Sequence, residues 1–294
     1  MRVLILGTTG QLGTELMRDI WPDGVSVSGL AHPAIDMADP ASIDAAVAGH
    51  GCDVVVNATA YTAVDRAESE RELAYAVNAA GVERLGLACR AKGVPLIHVS
   101  TDYVFDGTRP HPQPYRETDP VCPVNVYGAT KEAGEALLRA AWERHVILRT
   151  SWVYAAHGAN FVKTMLRLGR ERDTVGVVDD QAGAPTAAAD LAAAIAAITA
   201  TMAGKAEAPW GTYHLTGTGW TTWAGFAEHI FQRLGTAEGR RPVLRRIVTA
   251  DYPTPARRPA NSRLDCSKAA DTFGITLPPW QDSADRVLGG LLGG

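Results

Sequence analysis

The opening stretch MRVLILGTTGQLG, residues 1–13, runs from a short apolar segment (Val3 to Leu6) straight into glycines at 7, 10 and 13, and a helical pattern covers about Leu12 to Ile20. Glycine is needed where a turn is tight, where backbone must approach a pyrophosphate, and where a helix packs closely on a strand. A helix N-terminus adds free N–H groups and a positive dipole. Three glycines at this spacing say little alone. Placed in the first strand–turn–helix of a longer array they predict dinucleotide binding, with a merely tight turn as the plain alternative.

That array extends through the first half. Apolar runs at Val3 to Leu6, Val25 to Leu30, Asp53 to Asn57, Leu96 to Ser100 and Val146 to Thr150 alternate with helical patterns at about Leu12 to Ile20, Ala41 to His50, Glu72 to Lys92 and Gly128 to Arg144. Short β-branched or leucine-rich runs separated by amphipathic stretches indicate repeated βαβ units, hence an α/β fold with a doubly wound parallel sheet covered on both faces. Beyond residue 150 the rhythm loosens: a strand candidate at Thr174 to Val178, a helix from Thr186, then turn-rich sequence around Trp210, Gly211, Gly217 and Gly219. This predicts a nucleotide-binding unit over 1–150, completed by about 174–203, and a smaller α/β unit from 151–173 and 204–294. The proline-rich, basic segment Ala250 to Ser262 suits an ordered surface loop.

The second strand ends Gly29-Leu30-Ala31-His32, without the carboxylate that would hold an NAD ribose and without an arginine for a 2′-phosphate. NADPH and NADH both stay open, with a lean to NADPH. Asp36-Met37 could reach the adenine; a helix-entry carboxylate explains Asp36 as well.

After the fourth strand comes Ser100-Thr101-Asp102-Tyr103-Val104-Phe105, and Tyr127-Gly-Ala-Thr-Lys131 stands at the head of a helical pattern. Tyrosine and lysine at i and i+4 share one helix face. A phenol has an ordinary pKa of about 10, and a neighbouring ammonium together with the positive charge of a nicotinamide would stabilise its anion and lower it, so Tyr127 could donate a proton to a ketone oxygen as hydride arrives at carbon. Thr101, at the carboxyl end of a strand, could hydrogen-bond the same oxygen.

These residues carry a resemblance. The chain resembles the extended short-chain dehydrogenases, which are Rossmann-fold enzymes, and within them the family of dTDP-4-dehydrorhamnose reductases. The match runs through VVNATAYTAVDRAE (Val55 to Glu68), VNA (Val77 to Ala79), STDYVFDG (Ser100 to Gly107), VYGATKEAGE (Val126 to Glu135), RTSWVY (Arg149 to Tyr154), NFVKTML (Asn160 to Leu166), DQAGAPT (Asp180 to Thr186) and PTPARRPANSRLD (Pro253 to Asp265). The resemblance implies reduction of dTDP-4-dehydro-L-rhamnose, with Tyr127 as proton donor, Lys131 on the nicotinamide ribose and Thr101 polarising the ketone. It implies a cofactor shell of Gly7, Gly10, Gln11, Leu12, Asp36, Met37, Ala58, Ala60, Thr62, Asn78 and Ser100, with Tyr127 and Lys131. In the smaller, sugar-nucleotide unit's cleft, Val64, Asp102, Tyr103 and Trp152 would line the hexose beside Thr101, and Arg258 would meet the diphosphate, as guanidinium matches phosphate oxygens. Trp152 and Phe161 also fit as core aromatics, and Asn78 as a partner for buried backbone. The alternatives in function are a reductase of another nucleotide-linked 4-ketosugar and a noncatalytic cofactor-binding regulatory subunit; the intact Thr101, Tyr127 and Lys131 set disfavours the latter. Some members of the family dimerise through magnesium held by carboxylates, one matching Glu15, but the other matching positions are Ala189 and Gly290. A monomer, or a homodimer built differently, is expected.

Composition sets the outer bounds. The 294 residues are 46% hydrophobic and 20% charged with a formal charge of −4, ordinary globular usage without the basic surplus a nucleic-acid partner needs. Four scattered cysteines form no CxxC pair and eight histidines show no HExxH spacing, so neither zinc nor a disulfide scaffold is expected. The first residues suit a buried strand more than a secretory signal, and Ala187 to Met202 is too short and carries Asp190, so no membrane span is expected and the cytoplasm is the expected compartment.

Overall fold

A computed structural model of the chain describes residues 1–110, 113–202 and 208–293. Its first half places β1 (Arg2–Leu6), β2 (Ser26–Leu30), β3 (Val54–Asn57), β4 (Leu96–Thr101) and β5 (His145–Thr150) among α1 (Gln11–Leu16), α2 (Pro40–Gly49), α3 (Val64–Ala67), α4 (Arg71–Tyr75), α5 (Gly81–Lys92) and α6 (Val126–Ala141). The strands lie parallel in the order β2-β1-β3-β4-β5, and the strand Gly211–His214 adds beyond β5. The chain turns outward to β2 on one side of β1 and to β3 on the other, which makes a crevice at the carboxyl ends of these strands.

Both sheet faces are apolar because successive side chains alternate. Val3, Ile5, Val56, Ile97, Val146 and Leu148 pack against Leu191, Ile195 and Ile198 of the helix Ala188–Met202. Leu4, Leu6, Val55, Leu96 and Ile147 face the other way onto Ile43 and Val47 of α2 and Val82 and Leu85 of α5. Each such side chain, taken fully out of water, contributes about 1.5–3 kcal/mol, so register is firmly held. A third core joins the helices Phe161–Glu171, Trp223–Glu238 and Trp280–Leu292 through Val162, Leu166, Phe226, Phe231 and Leu288.

Local chemistry sets the helix ends. Asp39 accepts from the Ala41 N–H at 2.9 Å with Pro40 in the first position, and Asn125 accepts from the Gly128 N–H at 2.7 Å. Gly93, at φ 73°, ends α5 in the left-handed conformation.

Several expectations need correction. The strand Thr174–Val178 does not complete the large sheet. It pairs in parallel with Val243–Ile247, a strand whose apolar run is interrupted by Arg245-Arg246, while Gly211–His214, expected in the smaller unit, takes the edge place beside β5. Arg246 is engaged by Asp179 and Glu228. The helix expected to Ile20 stops at Leu16, where the Trp21 indole donates to the Leu16 carbonyl at 2.7 Å. The pattern over Glu72 to Lys92 is interrupted by a π turn, Ala76–Ala80. The unit boundary expected near residue 203 lies outside the described residues.

Candidate active site

The glycines act through three different constraints. Gly7 sits at φ 93° and its N–H donates to the Leu30 carbonyl at 2.7 Å, tying the turn to β2. A Cβ at Gly13 would collide with the Gly7 carbonyl, so α1 can lie this close to the turn only with glycine there. Beside Gly10 only the Gly7 carbonyl stands near, and this residue borders a cleft of about 670 Å³. That open backbone at a helix start suits a pyrophosphate.

The cleft lies where the strands end. Gln11, Leu12, Ala58, Ala60, Thr62 and Val64 form one side; Ser100, Thr101, Asp102 and Tyr103 follow from β4; Tyr127 and Lys131 come from α6; and Trp152 closes it from the smaller lobe. Tyr103 meets Tyr127 edge to face at 5.7 Å. The Thr101 hydroxyl accepts from the Tyr103 N–H at 3.2 Å and donates to Asp102 Oδ1 at 3.1 Å.

The electrostatics are those of buried groups. Burial pushes the Tyr127 phenol up to about 12, with Thr101 pulling the other way. The lowering expected from a neighbouring ammonium is absent: Lys131 has no part in setting this phenol, and its Nζ donates to the Val99 carbonyl at 2.8 Å and lies 3.2 Å from His98 Nε2. Burial brings Lys131 itself down to about 8 and pushes Asp102 up to about 7. Beneath them Glu135 is wholly buried; burial works against its charge, yet Arg149, Ser100 and Arg139 hold it below the usual carboxylate range.

Five expected site residues stand off the cleft lining. Gly7 shapes the turn from behind. Met37 is buried in the core beneath α5, its carbonyl against Gly81, and Asp36 accepts from the Ala38 N–H at 2.9 Å as a turn former. Asn78 is buried in the π turn, where it accepts from the Tyr61 N–H at 2.8 Å and donates to the Tyr61 carbonyl and the Thr130 hydroxyl, both at 3.1 Å. It thus props the 60–62 wall. Arg258 forks onto Asp65 at 3.1 and 2.9 Å and reaches Thr254 and the Ala256 carbonyl; burial opposes its charge, and Asp65 more than restores it.

Among the lining residues that sequence reasoning missed, two stand out. Thr150 is the register partner of Thr101 and its hydroxyl, like Asp102 Oδ2, is buried without a hydrogen-bond partner. Its place at the end of an adjacent strand was the available signal. Trp223 stacks on Trp152 at 3.6 Å and 10°, and nothing local marks it, since it opens a helix 71 residues away. Trp152 itself lies at φ 48°, a strained left-handed position for a bulky residue, with its ring against Gly183. A cleft lined by Asp102 and Thr150, each with a buried polar atom lacking a hydrogen-bond partner, and walled by stacked indoles fits a ligand that is part apolar ring and part hydroxyl.

Elsewhere, Glu15, Ala189 and Gly290 do meet around one small pocket, but Arg18 and Arg286 share it, and Glu15 is paired with Arg18 at 3.0 Å and His157 at 2.8 Å. All four cysteines are free. Among the described residues no helix is long and apolar enough to cross a membrane.

Comparison with known proteins places the site in a family. A family model described as the RmlD substrate binding domain matches residues 1–292. A dTDP-4-dehydrorhamnose reductase of Sinorhizobium fredii is 45% identical over 293 residues, spanning 99% of this chain and 98% of that protein. Among solved structures, the dTDP-4-dehydrorhamnose reductase of Clostridium acetobutylicum superposes with a TM-score of 0.91 at 34% identity, covering 99% of each chain. That of Bacillus anthracis, in complex with NADP, gives 0.88 at 34% identity over 97% of this chain and 98% of that one. The chain belongs to the RmlD substrate binding domain family, the family of the dTDP-4-dehydrorhamnose reductases.

Proposed function

We propose that the chain reduces the keto group of dTDP-4-dehydro-L-rhamnose to give dTDP-L-rhamnose, using NADPH in preference to NADH. NADPH, when bound, supplies the hydride that reaches the keto carbon. The glycine turn and Gln11, Leu12, Ala58, Ala60, Thr62 and Ser100 hold the cofactor, and Lys131 engages its nicotinamide ribose. Tyr127, protonated at neutral pH because its burial pushes it up to about 12, gives its proton to the developing alkoxide, so ketone plus hydride plus proton becomes alcohol. Thr101 holds the same oxygen in place. Asp102 Oδ2 and the Thr150 hydroxyl, both lacking partners, take hexose hydroxyls while the Trp152–Trp223 pair carries the apolar face of the sugar. Arg258, held on Asp65 and close enough to the cleft residue Tyr103 to act on its charge, turns from Asp65 to the diphosphate.

One observation carries this reading: a hydroxyl-bearing strand end, a buried phenol and a lysine one helical turn on converge at the floor of a cleft bordered by the glycine turn. The reading suits the cytoplasm and needs no metal-bridged partner. The test is loss of NADPH absorbance with enzymatically made dTDP-4-dehydro-L-rhamnose, with NADH in parallel. Rapid oxidation yielding dTDP-rhamnose, faster with NADPH, is expected. A flat trace from folded, NADPH-binding protein overturns it and directs attention to other nucleotide-linked 4-ketosugars.

A further inference from the structure

Behind Lys131 runs a buried chain of side chains that the reaction as described does not use. Asn57 and His98 are both fully buried, on β3 and β4. The N–H and the hydroxyl of Thr59 both donate to Asn57 Oδ1, at 3.0 and 2.5 Å. A backbone N–H can only donate, so that atom of Asn57 is its oxygen, and the amide NH2 group faces the other way, 3.1 Å from His98 Nδ1. The amide NH2 also only donates, so Nδ1 accepts. Burial, with the charges of Lys131 and His145 adding to it, holds His98 well below the usual imidazole range. The ring is therefore neutral, and its single proton sits on Nε2, 3.2 Å from Lys131 Nζ.

An N–H thus points at the amine. A free amine has a lone pair to receive it, whereas an ammonium has none. If Lys131 is charged, either this contact sets donor against donor, or the ring proton moves to Nδ1 and the same conflict appears at the Asn57 amide. We propose that His98 is a positioning residue for Lys131: the chain Thr59–Asn57–His98 aims a donor at Nζ, which orients the amine and loosens its hold on its proton. The importance of this for turnover rests on the reductase reading of Lys131; its measurement does not.

The surrounding groups leave the effect in place. The Val99 carbonyl, at 2.8 Å, accepts from the amine in either state. Glu135, one turn further along α6, favours the ammonium, but its carboxylate is engaged by Arg149 of β5 at 2.6 Å, Ser100 of β4 at 2.6 Å and Arg139 at 3.1 Å. His145, at the start of β5, bears on His98. Tyr127, Tyr103 and Asp102 are the titratable groups lining the open side of the cleft floor. Burial of the amine acts in the same direction as the His98 donor.

The experiment is a titration of lysine side-chain nitrogens by NMR on 15N-lysine protein without nucleotide sugar. The chain has only five lysines, at positions 92, 131, 163, 205 and 268, and Lys131→Met assigns the signal of interest. Lys131 is expected to titrate at least about one pH unit below the others. His98→Gln puts an acceptor where the Nε2–H stood, and Asn57→Leu removes the donor that pins the ring proton without adding charge. Each is expected to raise the Lys131 midpoint by about one unit. Near-UV circular dichroism shows which variant is folded, and either one decides the matter. A Lys131 that titrates with the other lysines, or a midpoint unmoved in a folded variant, overturns the proposal. A low midpoint that these variants raise, in protein that fails to reduce the sugar, would leave the proposal standing and remove the reductase reading instead.

Discussion

Tyr127 holds its proton across the neutral range because burial raises its phenol to about 12. Its hydroxyl is the donor in the proposed reaction and touches little that shapes the cofactor cleft. Tyr127→Phe is expected to lower turnover by about 10²–10⁴, the contribution of a positioned proton transfer, while NADPH affinity measured by fluorescence titration stays near that of the parent. Asp102 gives the pH signature. Folded, it keeps its proton up to about pH 7 because of burial, whereas the unfolded chain releases it near pH 4. Between these values the folded state binds more protons, so this residue lowers stability as pH rises from about 4 to about 7. Melting curves of Asp102→Asn are expected to gain on the parent across that interval and hold the gain above it; parallel curves would show that the carboxyl titrates normally. Thr101, Tyr127 and Lys131 could be picked out from sequence because strand end and i, i+4 spacing are local. Thr150 could not, since its relevance comes from lying opposite Thr101 in a neighbouring strand.

The element that matters most is α6. Asn125 caps it, and the same side chain donates to the Arg257 carbonyl at 2.7 Å, so one residue fixes both the start of the catalytic helix and the basic loop that carries Arg258. Asn125→Ala is expected to cost about 1 kcal/mol in denaturant unfolding and to weaken sugar-nucleotide binding more than cofactor binding. Gly128 lets the helix lie on β4's end, for a Cβ there would strike the Tyr103 carbonyl. Gly128→Ala should therefore displace Tyr127, lowering kcat/KM with a clear loss of melting temperature. The apolar pattern over Glu72 to Lys92 was legible as a helix, and the π turn inside it was not. The extra residue in that turn aims Asn78 at the Tyr61 backbone, a demand set by a loop distant in sequence.

Across the whole molecule the two lobes meet over the cleft through the segment 155–160. Asn160 donates to Gln11 Oε1 at 2.9 Å while capping the helix Phe161–Glu171, and His157 reaches Glu15 at 2.8 Å. Because Gln11 belongs to the glycine turn, Asn160→Ala is expected to weaken NADPH binding by roughly 2–10-fold, the worth of one hydrogen bond, in a fluorescence titration. Glu15, already paired with Arg18 and His157, has arginines beside it and alanine and glycine where a carboxylate cage would need acids; the mass measured by light scattering should not change on adding EDTA. What sequence alone determined was the alternation of buried strands and helices, the glycine turn and the tyrosine–lysine pair, since hydrophobic period, glycine's freedom and helix spacing are all local properties. Only tertiary structure decided which strands joined the large sheet, that Asn78, Met37 and Arg258 stand behind or beside the cleft, and that Thr150, Trp223 and His98 stand around its reacting groups. Those placements arise from contacts between segments far apart in the chain, which no local pattern encodes.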